Sequence, residues 1–429
     1  MTTTTDTSRK ALVAVCLGFA LIQLDATIVN VALPTVQRDL GGSTAALQWI
    51  LNGYTVALAA ALLTAGSIAD RIGARRVFLV GLAIFAVGSA ACAAAPDVGL
   101  LIAARVLQGL GAAALLPTSL ALIVHQFPDR EARARALGVW GGIASLGLTA
   151  GPVLGGVIAQ YASWRVIFLV NVPVVLLTWR LIVGSVTETP RRDKAPVDVA
   201  GLVLGVVALA GLVAGFIDMG RPELLGIGIV GVLALCVVEF RSAHPMIPPT
   251  LFRVRAFSAG TGVGLIFNFC LYGTLLCLSL LLQQVRHETV LQAGLELLPM
   301  TVVVGAGALC SGRLTARFGS RLPMIAGLSC GAAGALVLAS TGSVLAGSML
   351  LGLCSLAMPA MTAVVVGAAP DDRAGLASGV LNASRQSGGA LGVAVLGSLF
   401  GHSLGGPLLV VAFAYIAGIV LTSVATRRP

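Results

Sequence analysis

Apolar residues run in long uncharged blocks, and the charges fall almost wholly between them. Blocks near twenty residues match the thickness of a bilayer core, and the pattern predicts fourteen membrane-spanning helices. They lie at roughly 11–33, 45–69, 77–95, 98–124, 136–161, 164–186, 198–218, 224–240, 256–284, 290–311, 321–341, 343–369, 375–401 and 408–425. Amphipathic helices of a water-soluble core would show charge on every turn of their outer face, and these show none. The expected fold is therefore an all-α polytopic membrane bundle.

Composition sharpens this reading. Hydrophobic residues make up 57% of the 429-residue chain and charged ones 10%. The net charge of +10 could suggest a nucleic-acid partner, but the basic residues sit in twos and threes at the ends of apolar blocks, the positive-inside pattern of a membrane protein. Threading the spans alternately places Arg9, Lys10, Arg71, Arg75, Arg76, Arg130, Arg133, Arg135, Arg191, Arg192, Lys194, Arg241, Arg253, Arg255, Arg313, Arg317, Arg321, Arg373, Arg427 and Arg428 on one side, against Arg38, Arg165, Arg221 and Arg286 on the other. Both termini are thus expected in the cytoplasm, with the chain in the plasma membrane and its first span retained. All eight cysteines fall in apolar runs without ligand-like spacing, so buried free thiols are expected and no metal site. The two lysines, Lys10 and Lys194, lie outside any phosphate-cradling loop. No cofactor is expected; uphill work would draw on an ion gradient or a partner ATPase.

The chain also repeats itself. Gly66, Asp70, Arg71, Gly73 and Arg75 return as Gly312, Ala316, Arg317, Gly319 and Arg321, a shift of 246. At a shift of 242, Pro117 meets Pro359 and Pro128-Asp129-Arg130 resembles Pro370-Asp371-Asp372-Arg373. Two parallel six-helix halves follow, 1–186 and 256–429, with 187–255 holding an inserted pair of spans and its links. Such duplication is common among secondary transporters, whose substrate site lies at the midplane between repeats.

Four stretches carry a family resemblance: Gly66 to Arg76 with Asp70, Arg71, Gly73 and Arg75; Leu101 to Gly111 with Arg105 and Gln108; Leu24-Asp25 through Asn30 to Pro34; and Gly147, Gly151, Pro152, Gly155 and Gly156. Together they resemble motifs of the major facilitator superfamily, and the span count matches its fourteen-span drug:proton antiporter branch. The resemblance covers essentially the whole chain. It implies a monomer that exports a small amphipathic drug or antibiotic, cationic or neutral, against protons by alternating access. The runner-up is a major facilitator importer or exporter of an endogenous metabolite. A membrane enzyme has no support, because the chain offers no catalytic constellation and no long soluble insertion.

Candidate chemistry follows from charge inside the apolar blocks. Asp25 and Arg105 lie at matching depth, ~11 Å from the same membrane surface. A carboxylate whose distance to a cation changes between states changes its hold on a proton, as coupling requires. Gln108, one turn from Arg105, shares its face and is a candidate for the substrate cavity or a support for Arg105. The resemblance assigns proton transfer to Arg105 and gating to the Asp70 loop. Glu296 is expected in the cavity as an attractor for cationic drugs, unless it turns to a loop or headgroup. Arg385 stands near mid-membrane without an assignable partner, and Asn30, Asn268 and Asn382 are candidate cavity hydrogen-bonders. Asp70 can cap a helix N-terminus or bridge the Arg130, Arg133 and Arg135 loop. Gly147, Gly151 and Gly155 form a stripe at which another helix backbone can come close. Its Gly-Pro feature occurs in one repeat only, so a seal on the outer side is expected of it, and the resemblance ties it to export. The link 241–255, basic and proline-broken, is expected on anionic lipid.

Overall fold

A computed structural model describes residues 2–190, 198–242, 245–370, 373–401 and 403–425. Arg191, Arg192, Lys194, Asp371, Asp372, Arg427 and Arg428, used in the reading above, lie outside these residues. The described residues form helices and connecting turns, with no strand among them. In order they are α1 (Thr2–Leu40), α2 (Thr44–Ile72), α3 (Ala74–Ala94), α4 (Val98–Gln126), α5 (Arg130–Tyr161), α6 (Trp164–Leu169), α7 (Asn171–Ser185), α8 (Val199–Ile217) and α9 (Pro222–Arg241). Then come α10 (Arg255–Leu280), α11 (Val290–Phe318), α12 (Arg321–Thr341), α13 (Val344–Gly352), α14 (Ala357–Gly367), α15 (Ala374–Leu399) and α16 (Gly405–Ala425).

Two predicted spans are broken in the middle. Pro173 leaves a carbonyl near the end of α6 without its helical donor, so α6 and α7 form one interrupted crossing with the buried Asn171 at the break. Pro359 has the same consequence for the carbonyl of Ser355, where a 3-10 turn (Leu353–Leu356) joins α13 to α14.

Thirteen helical segments of the described residues are long and apolar enough to cross a membrane. The expected fourteenth, α15, is not among them. Its 26 residues reach ~39 Å, but Asn382, Ser384, Arg385, Gln386 and Ser387 on two consecutive turns lower its hydropathy. It is held instead by its neighbours, packed along α10 and α2.

Helices α1–α7 pack as one group and α10–α16 as another, while α8 and α9 pair with each other and lean on α2 and α15. Val56 and Ala59 of α2, Leu209 and Val213 of α8, and Ala390 and Ala394 of α15 form one buried apolar cluster across that junction. The face where α1 begins and α16 ends is called here the terminal face. Toward the opposite face the two groups are tied by polar contacts: Gln37 to Gln284 at 3.0 Å, Gln283 to the Val31 carbonyl at 2.9 Å, Ser279 to the Asn30 carbonyl at 3.0 Å, and Gln48 to the Val393 carbonyl at 3.2 Å.

Some expectations change. Cys236 and Cys310 are exposed on the bundle's outside rather than buried; an apolar run accommodates a thiol equally well facing lipid. Glu239, near the end of α9, is 6% exposed and accepts a hydrogen bond from the Ile247 amide at 3.0 Å. The link 241–255 does not simply lie outside: Leu251 is buried, Met246 and Ile247 pack on the core, and the Thr64 hydroxyl meets the Met246 sulfur at 3.7 Å.

Candidate functional site

The centre of the site is the pair read from sequence. Asp25 of α1 and Arg105 of α4 are 0% and 1% exposed, and the guanidinium Nη1 donates to Asp25 Oδ2. Equal depth on antiparallel helices brings them together. Further hydrogen bonds hold the pair, as a charge in an apolar bundle demands. Arg105 Nη1 also reaches Gln108 Oε1 at 2.8 Å, and Arg105 Nε donates to the Ile50 carbonyl at 3.1 Å. Asp25 Oδ1 accepts from Gln108 Nε2 at 3.3 Å and from Asn171 Nδ2 at 3.2 Å. Ser89 Oγ accepts from the same two amides at 2.7 and 3.3 Å. The Tyr54 ring lies under the guanidinium, 4.3 Å from its carbon, a stacking that favours the cation.

Five helices therefore hold one ion pair. Ser89, Asn171 and Tyr54 were not singled out from sequence, because a single neutral polar residue in an apolar span is ordinary. The breaking Pro173 two residues after Asn171 is the signal that could have drawn attention to it. Gln108, expected in the substrate cavity, is instead 0% exposed and locked within this network.

Arg105 has a second aspect. With Asn30, Tyr54 and Thr55 it lines a small pocket whose far wall is Tyr272 of α10 and Gln386 of α15. The pocket thus lies between the two helix groups, and the ion pair forms part of its wall. Asn30 Nδ2 bonds back to the Ala26 carbonyl at 2.8 Å while its Oδ1 is buried without a partner. Asn268 Oδ1 and both amide atoms of Asn52 are likewise buried and unmatched. Asn382 is half-buried and bonds to the Ser378 carbonyl at 3.0 Å. Arg385 is half-buried: its Nη2 has the Met358 sulfur at 3.7 Å, and among the described residues its Nε has no partner and no carboxylate is within ion-pair distance of it.

Glu296 is not part of this wall. Helix α11 starts only at Val290, so Glu296 stays near the opposite face, with its side chain 42% exposed and 4.0 Å from Arg286. It turns to the loop, which removes it as the cavity's attractor for cations. Its neighbour Glu288, in the loop before α11, is held above the usual carboxylate range by burial first and by the Glu296 charge second.

At the terminal face Gly73 ends α2 with φ of 106°, a conformation that glycine adopts without strain. Asp70 is not the group that caps α3. The cap comes from the segment after α7: Thr189 Oγ1 accepts from the Ala74 amide at 2.8 Å, and Glu188 accepts from the Arg75 and Arg76 amides at 2.9 and 3.2 Å. Arg75 Nη2 reaches the Val183 carbonyl at 3.1 Å, and Arg71 is exposed. Arg133 turns to the Phe127 and Pro128 carbonyls and Arg135 to Glu131; the Arg130 side chain is outside the described residues. Gly66 faces Pro117 of α4, 3.7 Å from where its Cβ would be.

The glycine stripe of α5 does admit another backbone. A Cβ on Gly147 would stand 2.9 Å from the Ala20 carbonyl oxygen and one on Gly155 2.6 Å from that of Ile28, while Gly151 abuts Thr27. The adjacent face meets α11, where a Cβ on Gly156 would stand 2.9 Å from the Val290 carbonyl oxygen and Gly294 abuts the Pro152 carbonyl. Helix α5 is thus clasped between the helix that carries Asp25 and the other group.

Comparison with known proteins places the chain in a family. The Major Facilitator Superfamily profile matches residues 15–344 and 263–429. The chain belongs to this superfamily. As a major facilitator protein it is a transporter rather than an enzyme. It is 38% identical over 410 residues to the multidrug resistance protein Stp of Mycobacterium tuberculosis, covering 92% of this chain and 76% of that one. It is 36% identical over 433 residues to the methylenomycin A resistance protein of Streptomyces coelicolor (94% and 90%), and 38% over 416 residues to the tetracenomycin C resistance and export protein of Streptomyces glaucescens (92% and 76%). Among solved structures, the human organic anion transporter MFSD10 (TETRAN) superposes with a TM-score of 0.67 over 97% of this chain and 99% of that one; at 19% identity the likeness is one of fold.

Proposed function

We propose that this major facilitator protein exports small amphipathic drugs or antibiotics in exchange for protons, by alternating access. The observation that carries the reading is the place of the Asp25–Arg105 pair: fully buried, yet with Arg105 in the wall of the pocket between the helix groups. A proton on Asp25 weakens its hold on the guanidinium, and a freed guanidinium alters the pocket. Binding of proton and of substrate then compete, which is what exchange requires. The names of the relatives, resistance and export proteins, support the direction of transport and the drug-like cargo.

In this reading α15 is the fourteenth span, residues 1–186 and 256–429 are the moving halves, and 187–255 is the inserted pair with its links. The terminal face is cytoplasmic, in keeping with its excess of arginine. The polar ties near the opposite face then seal the outside.

The test is transport in proteoliposomes with an imposed pH gradient. Asp25→Asn should retain substrate binding but lose gradient-driven transport and the proton release that accompanies it. Normal gradient-driven transport by Asp25→Asn would make the pair structural and place coupling elsewhere.

A further inference from the structure

The two arginines of the bundle's interior are not alike. Arg105 has Asp25; Arg385, eleven residues into α15, has no acidic partner among the described residues. Its stem lies against α10, 3.1 Å from where a Cβ of Gly264 would be, and its charged end lies 5.9 Å from the Phe267 ring and next to Met358 of α14. A thioether is a weak acceptor and a ring face supplies no hydrogen-bond acceptor of carboxylate strength. A guanidinium held at this depth with none is costly, and such residues mark the path of a charged or polar ligand.

The surroundings agree. Residues 264, 268 and 272 recur every fourth position, one face of α10. On that face Gly264 makes room for the Arg385 stem, Asn268 has an unmatched buried oxygen, and Tyr272 lines the pocket while packing on Gly389. Tyr272 is also close enough to Arg385 to interact with it electrostatically. Gln386, next to Arg385 in sequence, lines the same pocket. The one acid expected to make this cavity attractive to cations, Glu296, is on the rim with Arg286.

We propose that Arg385 is the charge partner of the substrate, and that the molecules this protein binds best carry a carboxylate or another acidic oxygen acceptor. This rests on the pocket being the transport site, and it narrows the cargo from amphipathic drugs in general to those with an acidic group. Arg105 is already committed to Asp25, so among the described residues Arg385, next to the pocket-lining Gln386, is the interior cation left for such a group.

The experiment is equilibrium binding to purified, detergent-solubilised protein of two fluorescent probes that differ in one group: an aromatic carboxylic acid and its methyl ester. Wild type should bind the acid the more tightly. Arg385→Gln should lose about tenfold or more in affinity for the acid, with the ester little changed, and Arg385→Lys should keep part of the preference. Melting temperatures of the three proteins check that they fold alike, and a variant that melts early is replaced by Arg385→Met. Equal binding of acid and ester by wild type, or parallel loss of both in a well-folded variant, would overturn the proposal. Because the assay needs no gradient, an acid that binds through Arg385 but is not moved in proteoliposomes would sink the export reading and leave this one standing.

Discussion

Charged residues in an apolar run can be found by inspection, and this is why Asp25, Arg105 and Arg385 were legible before any coordinates. What a sequence does not carry is azimuth. Glu296 was counted from the same start that α11 has, Val290, but the direction of its side chain puts it beside Arg286. Glu188 was passed over because an acid just beyond a span looks like any solvated loop residue; only the fold brings it to the α3 amides. Removing Arg105 should be severe. Arg105→Ala strands a buried carboxylate, at a cost of ~3–5 kcal/mol, and should appear as poor yield and early melting before any transport is measured. Glu288 provides a milder test with a defined sign. Its folded-state value is raised, so the folded state binds more protons than the unfolded one between the ordinary carboxyl value and the raised one, and stability falls as pH rises through that window. Glu288→Gln should therefore melt slightly later than wild type at pH 7, and the difference should vanish at pH 4 or below, where both side chains are neutral. A difference that persisted in acid would assign the effect to shape instead of charge.

At the scale of elements, hydropathy delimited the spans well; α15, expected at 375–401, is Ala374–Leu399. Its polar turns explain why length and hydropathy together leave it out. The glycine stripe of α5 was legible as a packing face, but its partner was not, since nothing in the spacing says that α1 supplies it. Gly155→Val should push α5 away from the Ile28 carbonyl and cost ~1–3 kcal/mol, seen as a lowered melting temperature and lost transport. Gly138 and Gly142, on the terminal-face half of the same helix, have no atom within 4 Å of a would-be Cβ. Gly138→Ala and Gly142→Ala should be tolerated, and each should add ~0.5–1 kcal/mol by lowering the freedom of the unfolded chain. If the two ends of α5 responded alike, the clasp would be a general effect of helix propensity.

For the molecule as a whole, the order of helices, the internal repeat and the family were all open to a reader of the sequence. The place of α8 and α9 was not, because lipid-facing and protein-facing apolar residues look the same in a string of letters. Topology can be checked by thiol labelling of intact cells, after Cys236 and Cys310, the exposed native thiols, are changed to Ser. Gly220→Cys should react with an impermeant reagent added outside, and Arg76→Cys only after the cells are opened; the reverse pattern would invert the orientation. The cluster that joins α8 to α2 and α15 has a further consequence. Of the two flanks along which the helix groups meet, that one is covered by a hairpin, whereas beside α5 and α11 the positions Gly138, Gly142 and Gly312 on the terminal-face side leave room for a side chain. On the proposed reading, a solute dissolved in the bilayer would meet a covered flank on the hairpin side, so any lateral approach to the pocket would have to be made beside α5 and α11.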